Sequence, residues 1–145
     1  MKLDELKKAY DKEARLLEDL CACLAQEREC LINGMVGELW PLREKKEKIC
    51  ERLDQEEKVI RKQLKEILAS SGKDRPQWLI LCRKRNRKLK LQAASRNAEN
   101  MEIVRDVLDF IDGLVGVIAG GQGEPSGYGG NTRMTSRPRI LFREA

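Results

Sequence analysis

Five cysteines, no histidine and one dense run of cations are the features of this 145-residue chain that could do chemistry. A cysteine thiolate can attack carbonyls, exchange disulfides or bind zinc, and for most of that work it needs a base or a further ligand beside it. Histidine, the commonest such partner, is missing altogether. An odd number of thiols also argues against a closed disulfide framework. Cys21 and Cys23 stand two apart, so a helix would turn them away from each other. Cys23 and Cys30 stand seven apart, about two helical turns, too far for one metal ion. The spacing predicts reduced thiols packed as small apolar side chains, with no metal and no cofactor.

The cations lie in "RKRNRKLK", Arg83 to Lys90, six basic residues in eight. Eight helical residues wrap more than twice around the axis, so these charges ring the helix rather than track a phosphate backbone. Trp78 is the one nearby aromatic that could stack on a base. Through Ser70 the chain has fifteen basic and sixteen acidic residues, residues 71–118 have ten and six, and residues 119–145 have four and two. That asymmetry keeps a basic helical nucleic-acid-binding or regulatory protein as the alternative reading. The ringed distribution favours a solvated stretch opposite the acidic first two helices. The glycines of "GGQGEPSGYGG" precede no strand or helix, so they lack the setting of a nucleotide loop. The acidic residues read as solvated helix faces within reach of Lys or Arg. No constellation suggests an enzyme.

Helices must position whatever site there is. Leu, Glu, Lys, Arg and Ala dominate, charged residues make up 37% and aromatics 4%, the composition of long helices. In the first segment, about residues 2–32, Leu3, Leu6, Tyr10, Leu17, Leu20, Leu24 and Leu31 alternate spacings of three and four, with breaks at Glu13 and Glu27. This is a heptad seam, and Asn33-Gly34 ends it. The second, about 35–70, carries Leu39, Leu42, Ile49, Leu53, Ile60 and Ile67. Pro41 falls in its first turns, where a missing N–H costs least. Lys46 and Glu56 occupy seam positions, from which long side chains can snorkel to water. In "SSGKDRP", Gly72 can end one helix, Asp74 can cap the next, and Pro76 suits a first turn. The third segment, about 76–119, has the seam Leu79, Cys82, Asn86, Leu89, Ala93, Asn97, Asn100, Val104, Val107, Ile111, Leu114 and Ile118, about 65 Å of helix. Residues 120–145 are rich in Gly, Ser, Pro and Thr and have no sustained period. They read as a flexible Gly-rich tail bearing a lone Tyr128 and a terminal "ILFREA". The expected fold is all-α: an elongated three-helix antiparallel bundle or coiled coil over 1–119, then the tail. No run of eighteen apolar residues exists, so no membrane span is expected. The charged N-terminus lacks the apolar core of a secretory signal, which predicts the cytoplasm.

"NAENMEIVRDVLDFIDGLVGVIAG", Asn97 to Gly120, carries more apolar surface than one seam needs. In heptad terms Val104, Ile111 and Ile118 are a positions, and Asn100, Val107 and Leu114 are d. Ile103, Phe110 and Val117 then flank the seam at g, and Met101, Leu108 and Val115 at e. The first two helices read as having mainly charged flanks; here both flanks are apolar. Either the third helix is central and packs on both others, or part of its face stays open for an amphipathic helix from another chain. The second reading makes Ile103, Val107, Phe110, Leu114 and Val117 partner-binding residues. Asn97 and Asn100, polar on the seam, read as register-setting residues.

The order of these features resembles the FlgN family of flagellar type III export chaperones. "CLINGMVGELWPLREKKEKICERLDQEEKVIRKQL" is similar to its leucine-rich helix, short Asn-Gly break and following helix. "NAENMEIVRDVL" is similar to its paired-Asn motif, here Asn97 and Asn100, and the apolar helix after it; a Gly-containing tail with a lone tyrosine, here Tyr128, follows. The glycines around Tyr128 and the run Arg83–Lys90 depart from that pattern. The resemblance implies a cytoplasmic chaperone that binds the C-terminal amphipathic helices of hook-associated, hook–filament junction proteins and delivers them to the export apparatus. The tail is then expected either to order on binding or to contact the export gate, with Tyr128 among the partner-binding residues. Whether the free protein is a homodimer stays open.

Overall fold

The computed structural model of the protein describes residues 2–71 and 75–120. These form three helices and no strand: α1 over Lys2–Asn33, α2 over Leu39–Ser71 and α3 over Gln77–Ala119. The residues 72–74 and 121–145, Asp74 and Tyr128 among them, lie outside the described part. So does the expectation of a flexible tail.

Local chemistry sets the helix ends. Gly34 adopts φ +71°, the left-handed conformation that glycine reaches without a Cβ clash. The Met35 N–H then donates to Cys30 O at 2.9 Å, the long bond of a Schellman turn, which satisfies an orphan carbonyl of α1. A single 3-10 turn, Val36–Glu38, follows, so α2 starts at Leu39 rather than near residue 35. Pro41 sits in its first turn as expected. Pro76 stands one residue before α3 in extended conformation, and its carbonyl accepts from Leu79 N–H at 3.1 Å. It caps the helix instead of forming its first turn.

The central helix is α1, not α3. It packs along both α2 and α3, while those two make at most minor contact. Near the start of α1, Leu6, Ala9 and Tyr10 meet Ile60 and Ile67 of α2 and Leu79 and Cys82 of α3. Further along, Leu16, Leu20, Cys21, Cys23 and Leu24 meet Ile49 and Ala93. This corrects the expectation that α1 has charged flanks. Its g positions are Ala9, Leu16, Cys23 and Cys30, its e positions include Ala14 and Cys21, and all six are buried. Small side chains let two neighbours approach one helix closely, so Ala and Cys do here what bulky residues would do on a helix with one partner.

Candidate partner-binding face

Two copies of one polar layer link α1 to α3. Asn86 Nδ2 donates to Tyr10 O at 3.0 Å and to Glu13 Oε1 at 2.7 Å. Fourteen residues further on, Asn100 Nδ2 donates to Leu24 O at 2.9 Å and to Glu27 Oε1 at 2.9 Å. The two breaks in the α1 seam are therefore the carboxylates that receive α3's seam asparagines. Both carbonyl contacts span 76 residues, so α1 and α3 run parallel, and each runs antiparallel to α2. A slip of one heptad toward the start of α1 would set Asn86 and Asn100 opposite Leu6 and Leu20 and part three buried polar side chains, Glu13, Asn86 and Asn100, from these partners, a cost of about 1–3 kcal/mol each. Asn97, by contrast, is half-buried.

Cations complete the layers. Lys46 Nζ lies 2.8 Å from Glu27 Oε2, with both side chains largely buried. Lys12 Nζ lies 3.3 Å from Glu56 Oε2. Lys46 and Glu56 are thus paired with α1 rather than snorkelling to water. From the basic run, Arg85 Nη2 pairs with Asp11 Oδ1 at 3.1 Å and Lys90 with Glu13 at 3.6 Å. Part of "RKRNRKLK" is therefore an internal counter-charge to α1.

All five thiols are free and four are buried. Burial raises the pKa of Cys21, Cys23 and Cys50 above the ordinary thiol value, because a thiolate is poorly solvated between helices. Lys45 and Lys46 near Cys23, and Arg96 near Cys21, oppose that shift without cancelling it. Such thiols are poor nucleophiles. No group of three or more Cys, Asp or Glu suited to a metal ion occurs among the described residues.

Beyond Asn100 the character of α3 changes. Ile103 and Val104 are half-buried. From there on Val107, Leu108, Phe110, Ile111, Leu114, Val115, Val117 and Ile118 are all exposed, Phe110 at 67%, Val117 at 74% and Ile118 at 80%. Among the described residues neither α1 nor α2 covers this surplus, since α1 is the helix with two neighbours. The apolar positions a, d, e and g adjoin one another around the helix, so these side chains form one broad face. It is continuous with the seam that packs on α1 further back. Its rim carries Asp106 on one edge and Arg105 and Asp112 on the other, with Glu102 and Asp109 behind. At the same end of the bundle Arg28 Nη1 meets Glu99 Oε2 at 2.8 Å, and Ile32 at the end of α1, Met35 and Val36 of the connection and Trp40 at the start of α2 are also exposed. These apolar residues lie outside the seams, so heptad periodicity does not mark them; their position beside Asn33-Gly34 does.

Cys30 Sγ donates to Glu38 Oε2 at 3.7 Å, but burial and that carboxylate both raise the thiol's pKa and so hold it protonated. What the arrangement offers is a long apolar helical face with an acidic rim, held out from a bundle whose own core is complete. Contiguous exposed apolar patches rimmed by polar residues mark interaction sites on proteins. No described helix is long and apolar enough to cross a membrane.

The family described as FlgN protein matches residues 1–136, nearly the whole chain. No curated protein gives a significant match, and no solved structure does. With three helices in sequence and a family match that spans the bundle, the chain belongs to the FlgN family of flagellar chaperones.

Proposed function

We propose that the protein is a cytoplasmic, non-enzymatic export chaperone. It holds the C-terminal amphipathic helix of a hook-associated protein against the distal face of α3 and delivers it to the export apparatus. The carrying observation is the exposure of eight large apolar side chains between Val107 and Ile118. Assembly helices of this kind are apolar on one side until they meet their own oligomer, and a helix laid along α3 would cover them meanwhile. Ile103, Val107, Phe110, Leu114 and Val117 are the contact residues in this reading. Tyr128 and the tail are the candidate contact with the export gate.

Isothermal titration with a synthetic client C-terminal helix tests this. Binding that is lost when Phe110, Leu114 and Val117 together become Ser, in a protein whose helical circular dichroism is unchanged, supports the reading. Equal binding by the substituted protein removes the α3 face from it. The nucleic-acid alternative loses ground, because Arg85 and Lys90 already face Asp11 and Glu13.

A further inference from the structure

We propose that the arginine-rich end of this chain, residues 133–143, docks on the distal face of α3 and covers it until a client displaces it. The proposal concerns the face assigned above and rests on the client reading only for what displaces the tail. Three observations carry it.

The face selects its occupant by charge. Residues 101–119 contain Glu102, Asp106, Asp109 and Asp112 against Arg105 alone, a net of −3. By heptad position Asp106 borders the apolar side chains on one edge and Asp112 on the other, where Arg105 one heptad earlier is the single cation. A second copy of the chain would bring an identical acidic rim into contact with this one, and like charges at an interface repel. An occupant with apolar residues flanked by cations fits instead.

The end of the chain has that composition. "RMTSRPRILFREA", Arg133 to Ala145, contains Arg133, Arg137, Arg139 and Arg143 against Glu144, a net of +3. Ile140, Leu141 and Phe142 lie between two of those arginines. Arginine also keeps its charge at any physiological pH and matches a carboxylate with two parallel donors. The family match stops at residue 136, so the Ile140–Phe142 cluster lies outside the matched span.

The connection is long enough and short enough. From Val107 to Ile118 the face runs about 16 Å at the rise of an α-helix. Residues 121–139 include five glycines, and a Gly-rich stretch of that length spans about 25 Å root-mean-square. Tethering at this range gives an effective concentration on the order of 1 mM. If the free segment bound with a Kd of about 0.1 mM, the tethered face would be covered about ten to one, and a client would bind about tenfold more weakly.

Carbene footprinting of the full-length chain, read by mass spectrometry, tests the contact without a client. Two full-length variants are compared with the unmodified protein. One carries Ile140→Asp, Leu141→Asp and Phe142→Asp, and the other carries Arg133→Gln, Arg137→Gln, Arg139→Gln and Arg143→Gln. The proposal expects more labelling of Phe110, Ile111 and Leu114 in both, with helix content unchanged and with the same result at hundredfold dilution. Labelling that stays the same in both variants overturns it. Protection that vanishes on dilution also overturns it and assigns the face to a second copy. In a parallel titration, a synthetic client helix should bind both variants about tenfold more tightly than the unmodified chain. A client helix that binds none of the three proteins defeats the client reading, while the footprint still decides the tail contact.

Discussion

At the scale of single residues, the exposed aromatic and the buried amide make opposite predictions. Phe110 is two-thirds exposed, so Phe110→Ser should cost the free protein less than about 1 kcal/mol in a denaturant melt. Client binding should weaken by about 2 kcal/mol or more, a loss of roughly thirtyfold. A stability loss near 3 kcal/mol would instead mean that Phe110 packs within the protein's own core. Asn100 is 2% exposed and joins Leu24 O and Glu27 to α3. Asn100→Ala should therefore destabilise the bundle by about 1–3 kcal/mol. Asn97→Ala, at a half-buried site, should cost less than about 1 kcal/mol by the same melt. The thiols add a pH dependence. Folded Cys21, Cys23 and Cys50 hold their protons above the usual 9.0, whereas unfolded thiols lose theirs there. The native state then binds more protons than the unfolded one, so the midpoint of unfolding should fall as pH rises past about 9. A Cys-to-Ala variant at all three positions should lack that part of the decline.

At the scale of elements, the decisive fact is how closely two neighbours approach α1. Cys23, 1% exposed, contacts the start of α2, where its Sγ lies 3.5 Å from Leu42 O. Cys23→Leu adds volume to a filled site and should destabilise by about 1–3 kcal/mol through overpacking, even though Leu is the more apolar residue. A stabilised variant in urea melts would show that the α1–α2 contact has room to spare. The turn out of α1 makes a separate prediction. A Cβ at Gly34 would meet no atom, so the cost of Gly34→Ala is the backbone strain of φ +71°, about 1–2 kcal/mol. It should appear as a lower melting temperature with helix content retained.

At the scale of the whole molecule, the bundle and the distal part of α3 differ in what holds them. Residues 79–100 of α3 pack on α1 and are pinned by two polar layers. Residues 105–119 remain helical with their apolar side chains exposed, so little tertiary burial opposes their opening. Amide exchange should be slow through 79–100 and faster by orders of magnitude through 107–118 in the free protein, and a saturating client helix should slow the latter. Equal protection along all of α3 would contradict this division. The tail contact, at about ten to one, would slow exchange at 107–118 only about tenfold.

Much of this was determined by the sequence itself. Alternating spacings of three and four, Asn33-Gly34 and "SSGKDRP" give three helices and their order, because helix periodicity and turn chemistry are local. The apolar surplus of residues 101–118 was equally legible. Which helix is central was not settled by that surplus. It pointed to α3, since large aliphatic residues dominate any count of greasy surface, whereas α1 holds the middle through Ala9, Ala14, Cys21 and Cys23. Their value depends on how near two other helices come, and that distance exists only in the assembled bundle. The same holds for Glu13 and Glu27. Alone they look like faults in a seam; opposite Asn86 and Asn100, seventy-odd residues away, they are the acceptors that fix α3 against α1. Only the tertiary structure decided that neither α1 nor α2 covers the wide face of α3, because which helices pair is chosen by the packing of all three together.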